Sequence, residues 1–214
     1  MKKLILLAAL AISMVADTAM AQDAKAKAIL DAASKKMNGL KSLKANFSLS
    51  VKGANAKTAQ SKKGSFMMKG VKYRVTMGDQ EIICDGKTQW TFVKQSNEVQ
   101  VSNYNPSEAT VSPTKLFTNF YDKEYTYTYG GSKTFAGKSV NIIEMVPKSS
   151  AKQFKKVLLA FDKSNTITGG EVFEKNGNQY HYEVSGFTPN AAVTDASFIF
   201  DTKKHPGVEV VDLR

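Results

Sequence analysis

Ile82-Ile83-Cys84-Asp85-Gly86-Lys87-Thr88-Gln89-Trp90-Thr91-Phe92 is the stretch that decides the fold. An apolar run, then Asp-Gly, then a strand carrying Trp90 and Phe92 reads as a hairpin, because glycine accepts the positive φ that tight turns demand. The period of two continues on both sides of it. Upstream, Gly64 to Met68 and Tyr73 to Met77 form two strands broken at Lys69-Gly70. Before them Phe47, Leu49 and Val51 alternate with Ser48, Ser50 and Lys52, and the polar stretch 53–63 is a long hairpin connection. Downstream, Val99 and Val101 keep the pattern, and Tyr125, Tyr127 and Tyr129 alternate with threonines. Segments 140–146, 156–161, 170–174 and 179–184 follow as strands, with Asn176-Gly177 as another turn. Phe198-Ile199-Phe200 and Val208-Glu209-Val210 close the series.

Two segments break the period. Near the start, Ala26, Ile29, Leu30, Ala33, Met37 and Leu40 recur at three- and four-residue spacing, which predicts an amphipathic helix stopped at Asn38-Gly39. In the middle, Ser112-Pro113-Thr114 places an N-cap and a first-turn proline before Leu116, Phe117, Phe120 and Tyr121, a second short helix. The fold class is therefore α+β and mainly antiparallel β: one sheet, a few helices, one domain.

The first residues set the compartment. Met1-Lys2-Lys3, an apolar run from Leu4 to Val15 and Ala19-Met20-Ala21 have the layout of a cleaved export signal, giving a leader of 1–21 and a single domain of 22–214. The apolar run is too short for a permanent membrane span. The competing reading is an uncleaved anchor. No cysteine stands at the end of the run, so no acylated N-terminus is expected and the mature protein is expected to be soluble. The lone cysteine, Cys84, rules out an internal disulfide, and its apolar surroundings predict a buried, inert thiol.

The chain carries +11 formal charge, and losing Lys2, Lys3 and Asp17 with the leader leaves +10. Such a balance favours acidic partners or anionic headgroups. An export signal argues against nucleic acid, and the scattered lysines fit a solvated surface. Catalytic constellations are scarce. Of two histidines, His181 lies on a strand and is expected to face solvent, and His205 beside Pro206-Gly207 reads as a turn residue. Neither metal-ligand spacing nor a phosphate loop appears, so no cofactor is expected. Asp85 and Asp162 sit in turns for backbone reasons.

The positive signal is apolar. Phe66, Met68, Tyr73, Val75, Met77, Trp90 and Phe92 are expected to line one face of consecutive strands, with Leu49 beside them. Methionine suits a pocket for flexible apolar ligands. An ordinary sheet-to-helix core fits the same pattern, and periodicity does not separate the two.

The hairpin around Asp85-Gly86-Lys87-Thr88, with its Trp90 strand, resembles the signature hairpin of the outer-membrane lipoprotein carrier (LolA) family. The ending, Asp195-Ala196-Ser197-Phe198-Ile199-Phe200 then Pro206-Gly207-Val208-Glu209-Val210, is similar to that family's closing segment. Val146-Pro147-Lys148, Phe161-Asp162, 166–174 and the early strand 43–51 fall in the family's order, so the resemblance spans the mature chain. It implies an open half-barrel sheet whose concave apolar face is covered by helices. It also implies a non-catalytic periplasmic carrier, working as a monomer, that binds lipoprotein acyl chains. An inner-membrane ABC-type releasing complex would supply the cargo and an outer-membrane receptor would accept it. On this reading Leu49, Phe66, Met68, Tyr73, Val75, Met77, Trp90 and Phe92 form the acyl cavity. Ile29, Leu30 and Met37, with Leu116, Phe117 and Phe120, form the lid. One departure stands out: many members place Arg-Pro between two strands, the arginine bonding to the lid, where this chain has Lys69-Gly70, and lysine lacks the forked guanidinium. An envelope lipid or lipoprotein sensor, or a carrier of another amphiphile, is the alternative on the same fold.

Overall fold

The computed structural model describes residues 17–105 and 121–214. A helix, α1 (Asp17–Asn38), leads into β1 (Leu43–Lys52), β2 (Gln60–Lys69), β3 (Lys72–Met77), β4 (Gln80–Cys84), β5 (Thr88–Val93) and β6 (Glu98–Asn103). After a single helical turn, α2 (Tyr121–Glu124), come β7 (Tyr125–Phe135), β8 (Lys138–Pro147), β9 (Phe154–Phe161), β10 (Ile167–Glu174) and β11 (Gln179–Pro189). Two 3-10 turns, Asp195–Phe198 and Thr202–Lys204, precede β12 (Glu209–Asp212). The strands make one sheet in the order β12-β6-β5-β4-β3-β2-β1-β11-β10-β9-β8-β7. Its two ends do not pair with each other, so the sheet is open.

Local chemistry explains the hairpin that dominates the sequence. Asp85 Oδ1 accepts from the backbone N–H of Lys87 and of Thr88, both at 2.8 Å, and Gly86 takes φ +95°. The aspartate thus closes an Asx-type turn, and the glycine supplies the conformation other residues avoid. Between strands, Cys84 pairs with Gln89 and Ile83 with Trp90.

That register decides which side chains share a face. Each of the hairpins joining β1 to β5 pairs an odd-numbered residue with an even-numbered one: Leu43 with Met68, Phe66 with Val75, Val75 with Ile82, Ile82 with Thr91. One face therefore carries Phe47, Leu49, Phe66, Met68, Tyr73, Val75, Met77, Ile82 and Cys84. The other carries Arg74, Ile83, Trp90 and Phe92.

α1 lies on the first face, which is the concave one in the half-barrel arrangement. Ala26, Ile29, Leu30 and Ala33 cluster with Tyr121, Tyr125, Ile143, Met145 and Phe161, while Met37 joins Leu43, Met68, Tyr73 and Cys84. The helix thus spans from β7–β9 to the near ends of β1–β4, and its three-four spacing supplies the stripe that fits. On the second face Ile83, Phe92, Val99 and Phe200 form a separate cluster with Trp90 and Val208.

One expectation about the C-terminal part needs correction. Phe198-Ile199-Phe200 is not a strand: the 3-10 turn ends at Phe198, and the chain continues extended but unpaired. Phe198 and Phe200 are buried and Ile199 is half exposed, so alternation mimicked a strand. The sheet is mainly antiparallel, as expected; among the described strands β12 alone runs parallel to its neighbour, β6. The expected helix carrying Leu116, Phe117 and Phe120 lies outside the described residues, as does most of the expected leader, 1–21.

Candidate functional site: the concave apolar face

Six of the eight expected cavity residues share the concave face. Met68 and Tyr73 are buried beneath Met37 of α1, beside Cys84. Phe66 and Val75 pack against that cluster half-buried, and Leu49 and Met77 are half-buried nearer the far ends of their strands. Sequence reasoning missed Ile82, Phe47, Tyr180 and Tyr182. Ile82 packs with Val75, and Tyr182 and Tyr180 sit opposite Leu49 and Val51 across the β1–β11 ladder. Their alternation around His181 was a usable signal.

Trp90 and Phe92 are a correction. Both lie on the convex face, where Phe92 is buried against Phe200, ring centroids 5.1 Å apart, and His205. The reason is parity. An even-residue turn carries Tyr73 and Val75 to Ile82 and Cys84, and then to Gln89 and Thr91. The concave face at β5 is therefore polar, and Gln89 Oε1 accepts a 2.9 Å hydrogen bond from the Tyr73 hydroxyl.

Burial sets the electrostatics of this face. Desolvation raises the Tyr73 phenol well above its ordinary range and pushes the Cys84 thiol up. Cys84 is fully buried and accepts a 3.3 Å hydrogen bond from the Gly86 N–H. Both groups stay neutral and protonated at ordinary pH, which suits an apolar surface.

The lid candidates divide. Ile29, Leu30 and Met37 are buried between α1 and the sheet. α1 is also tied at its polar edge: the Tyr121 hydroxyl donates to Asp31 Oδ1 at 2.6 Å, and Lys27 bridges Asp31 and Asp122 at 3.0 and 3.3 Å. Lys25 stands 3.9 Å over the Tyr129 ring. The Lys69-Gly70 position does not serve as a latch to α1. Lys69 points to the convex side and pairs with Asp195 at 2.9 Å, and Gly70 adopts φ +59°, which proline's ring forbids. Arg74 is also convex; it donates to the Ile199 carbonyl at 3.2 Å and lies 3.6 Å from Glu81.

Neither histidine enters the concave site. His181 stands between Glu171 and Glu183 at 3.2 and 3.1 Å and stacks on Phe135, so it is half-buried rather than free in solvent. His205 stacks on Phe200 at 4.6 Å and roofs the convex cluster. Among the described residues no three His, Cys, Asp or Glu side chains gather as a metal site would need.

Comparisons with known proteins agree with this architecture. The family model for "Outer membrane lipoprotein carrier protein LolA" matches residues 38–201. An outer-membrane lipoprotein carrier protein of Legionella pneumophila (strain Lens) is 26% identical over 179 residues, covering 82% of this chain and 86% of that protein. One of Sodalis glossinidius (strain morsitans) is 25% identical over 218 residues, with both chains covered fully. A solved structure of an uncharacterized conserved protein from Thermus thermophilus superposes with a TM-score of 0.58 at 13% identity, covering 88% of this chain and 99% of that one, and shares the fold. With most of its length matched by one family model, the chain belongs to the outer-membrane lipoprotein carrier (LolA) family.

Proposed function

We propose that this protein is a non-catalytic carrier that takes lipoproteins across the periplasm to the outer membrane, with their acyl chains against the concave face. The observation that carries this reading is the apolar strip running beyond α1. Phe66, Val75 and Ile82 extend from the helix-covered cluster, and Phe47, Leu49, Met77, Tyr180 and Tyr182 continue it along the same face, all half-buried. Family membership and the names of the relatives support it.

The energetics fit. Each methylene exposed to water costs about 0.8 kcal/mol, so a long acyl chain costs on the order of 10 kcal/mol. A soluble ferry has to cover most of that surface and still let go. A helix that covers the face when empty and yields to cargo meets both demands, because the apolar area it gives up offsets part of the gain from binding. α1 is suited to this: its buried stripe is interleaved with exposed lysines, and its polar ties are near the surface. On this reading the leader exports the chain, an inner-membrane ABC-type complex loads it, and an outer-membrane receptor unloads it.

The test is binding of a fluorescent long-chain acyl probe. Val75→Glu and Met77→Glu place a charge on the strip, and each is expected to weaken binding at least tenfold while the protein remains folded. Undiminished binding in both variants rules out the concave face as the site.

A further inference from the structure

From Ala32 to Gly78 the chain holds eleven basic residues and no acidic one. The fold gathers four of them, Lys52, Lys57, Lys62 and Lys63, on the β1–β2 hairpin, where all four are exposed. Among the described residues none of the four has an ion-pair partner, whereas Lys27, Lys69, Lys72, Lys152 and Lys156 each do. Asp79 is in the adjoining β3–β4 turn, and Glu174 closes β10, where it accepts a hydrogen bond from Asn178. The hairpin thus gathers four exposed, unpaired cations at one end of two adjoining strands.

Its position matters as much as its charge. Leu49 pairs with Lys62 and Val51 with Gln60, so the basic hairpin continues directly from the apolar strip. α1 covers the opposite ends of these strands, where Met37 meets Leu43, Met68, Tyr73 and Cys84. Apolar residues leading to a rim of flexible lysines match a bilayer surface, with acyl chains below and anionic headgroups above. The cations are all lysine, a point charge on a long stem that follows a mobile headgroup lattice, rather than arginine, whose fork suits a fixed carboxylate.

We propose that the β1–β2 hairpin docks the protein on anionic bilayers, setting the hairpin end of the concave strip against the membrane from which a lipid chain is taken or to which it is returned. This rests on the carrier reading above and names the surface that its site addresses. Each lysine near an anionic membrane contributes about a fivefold gain in partitioning, so the four together contribute on the order of several hundredfold at low salt, less at high salt.

The experiment uses protein recovered from the periplasmic fraction and sedimented with vesicles of phosphatidylethanolamine and phosphatidylglycerol, or of phosphatidylcholine alone. Expected is partitioning to the anionic vesicles that falls with added salt. It is expected to drop at least thirtyfold when Lys52, Lys57, Lys62 and Lys63 are all changed to Gln, and to be largely kept when all four become Arg. The quadruple Gln variant is expected to bind the fluorescent acyl probe as the wild type does. Equal partitioning to both vesicle types, or no loss in the Gln variant, overturns the proposal. Binding to an acidic protein surface such as polyglutamate without binding to vesicles also overturns it, in favour of a protein partner. Lost acyl binding in Val75→Glu is read separately, so failure of the carrier reading and failure of the docking surface give different results.

Discussion

The Tyr121 hydroxyl donates a 2.6 Å hydrogen bond to Asp31 Oδ1, joining α1 to the turn before β7 across 90 residues of sequence. That bond, then Lys27, hold the Asp31 carboxyl below its ordinary range. A depressed carboxyl stabilises the docked helix fully above the unfolded value near pH 4 and loses that contribution as pH falls through the folded value. Acidification through this window is therefore expected to loosen α1 before the sheet unfolds, measured by hydrogen exchange of the helix amides. Asp31→Asn is expected to cost about 1 kcal/mol at neutral pH, the scale of a solvent-screened charged hydrogen bond, and to flatten the acid response.

Phe92 should behave as a structural residue. It is 2% exposed in the convex cluster, so Phe92→Ala is expected to lose about 3 kcal/mol in denaturant unfolding. Acyl-probe affinity of the folded variant should match wild type. A drop in affinity at unchanged stability would place Phe92 with the ligand instead.

Gly64 is held small by its neighbours. A Cβ there would stand 2.6 Å from the Thr76 carbonyl oxygen and collide with the Phe47 ring, which lies across β2 on the concave face. Gly64→Ala is expected to cost about 2 kcal/mol, because the strand itself has to shift. Thermal unfolding checks it, and adding Phe47→Leu should recover only part of the loss.

His181 is convex and braced by Glu171 and Glu183, away from the apolar strip. His181→Ala is expected to leave acyl binding and lipoprotein transfer within about twofold of wild type. Complete loss of transfer with the fold intact would point to a catalytic role for this histidine.

How much of this was legible in the sequence depended on the kind of signal. The strands from Phe47 to Val101 and the α1 stripe were legible because alternation and three-four spacing are local properties. The face of each strand was legible only where the turn was counted correctly. Phe66, Met68, Tyr73, Val75 and Met77 follow from one another across Gly70, whereas alternation alone does not carry the face to Trp90 and Phe92, because the next two turns change the parity. Phe198-Ile199-Phe200 failed for another reason. An extended segment lying on a convex cluster buries every second residue just as a strand does, and only its missing ladder distinguishes it. The tie between Asp31 and Tyr121 was hidden because it joins residues distant in sequence whose types have no special pattern.

The most direct test of the central claim is release of cargo. Spheroplasts carrying a labelled triacylated lipoprotein in the inner membrane are incubated with the purified protein and ATP, and the supernatant is analysed by size. Label is expected in a soluble one-to-one complex with the wild-type protein, and none with Val75→Glu. Label that stays in the membrane with the wild-type protein, while the fluorescent acyl probe still binds it, would contradict lipoprotein carriage and leave a cavity for some other amphiphile.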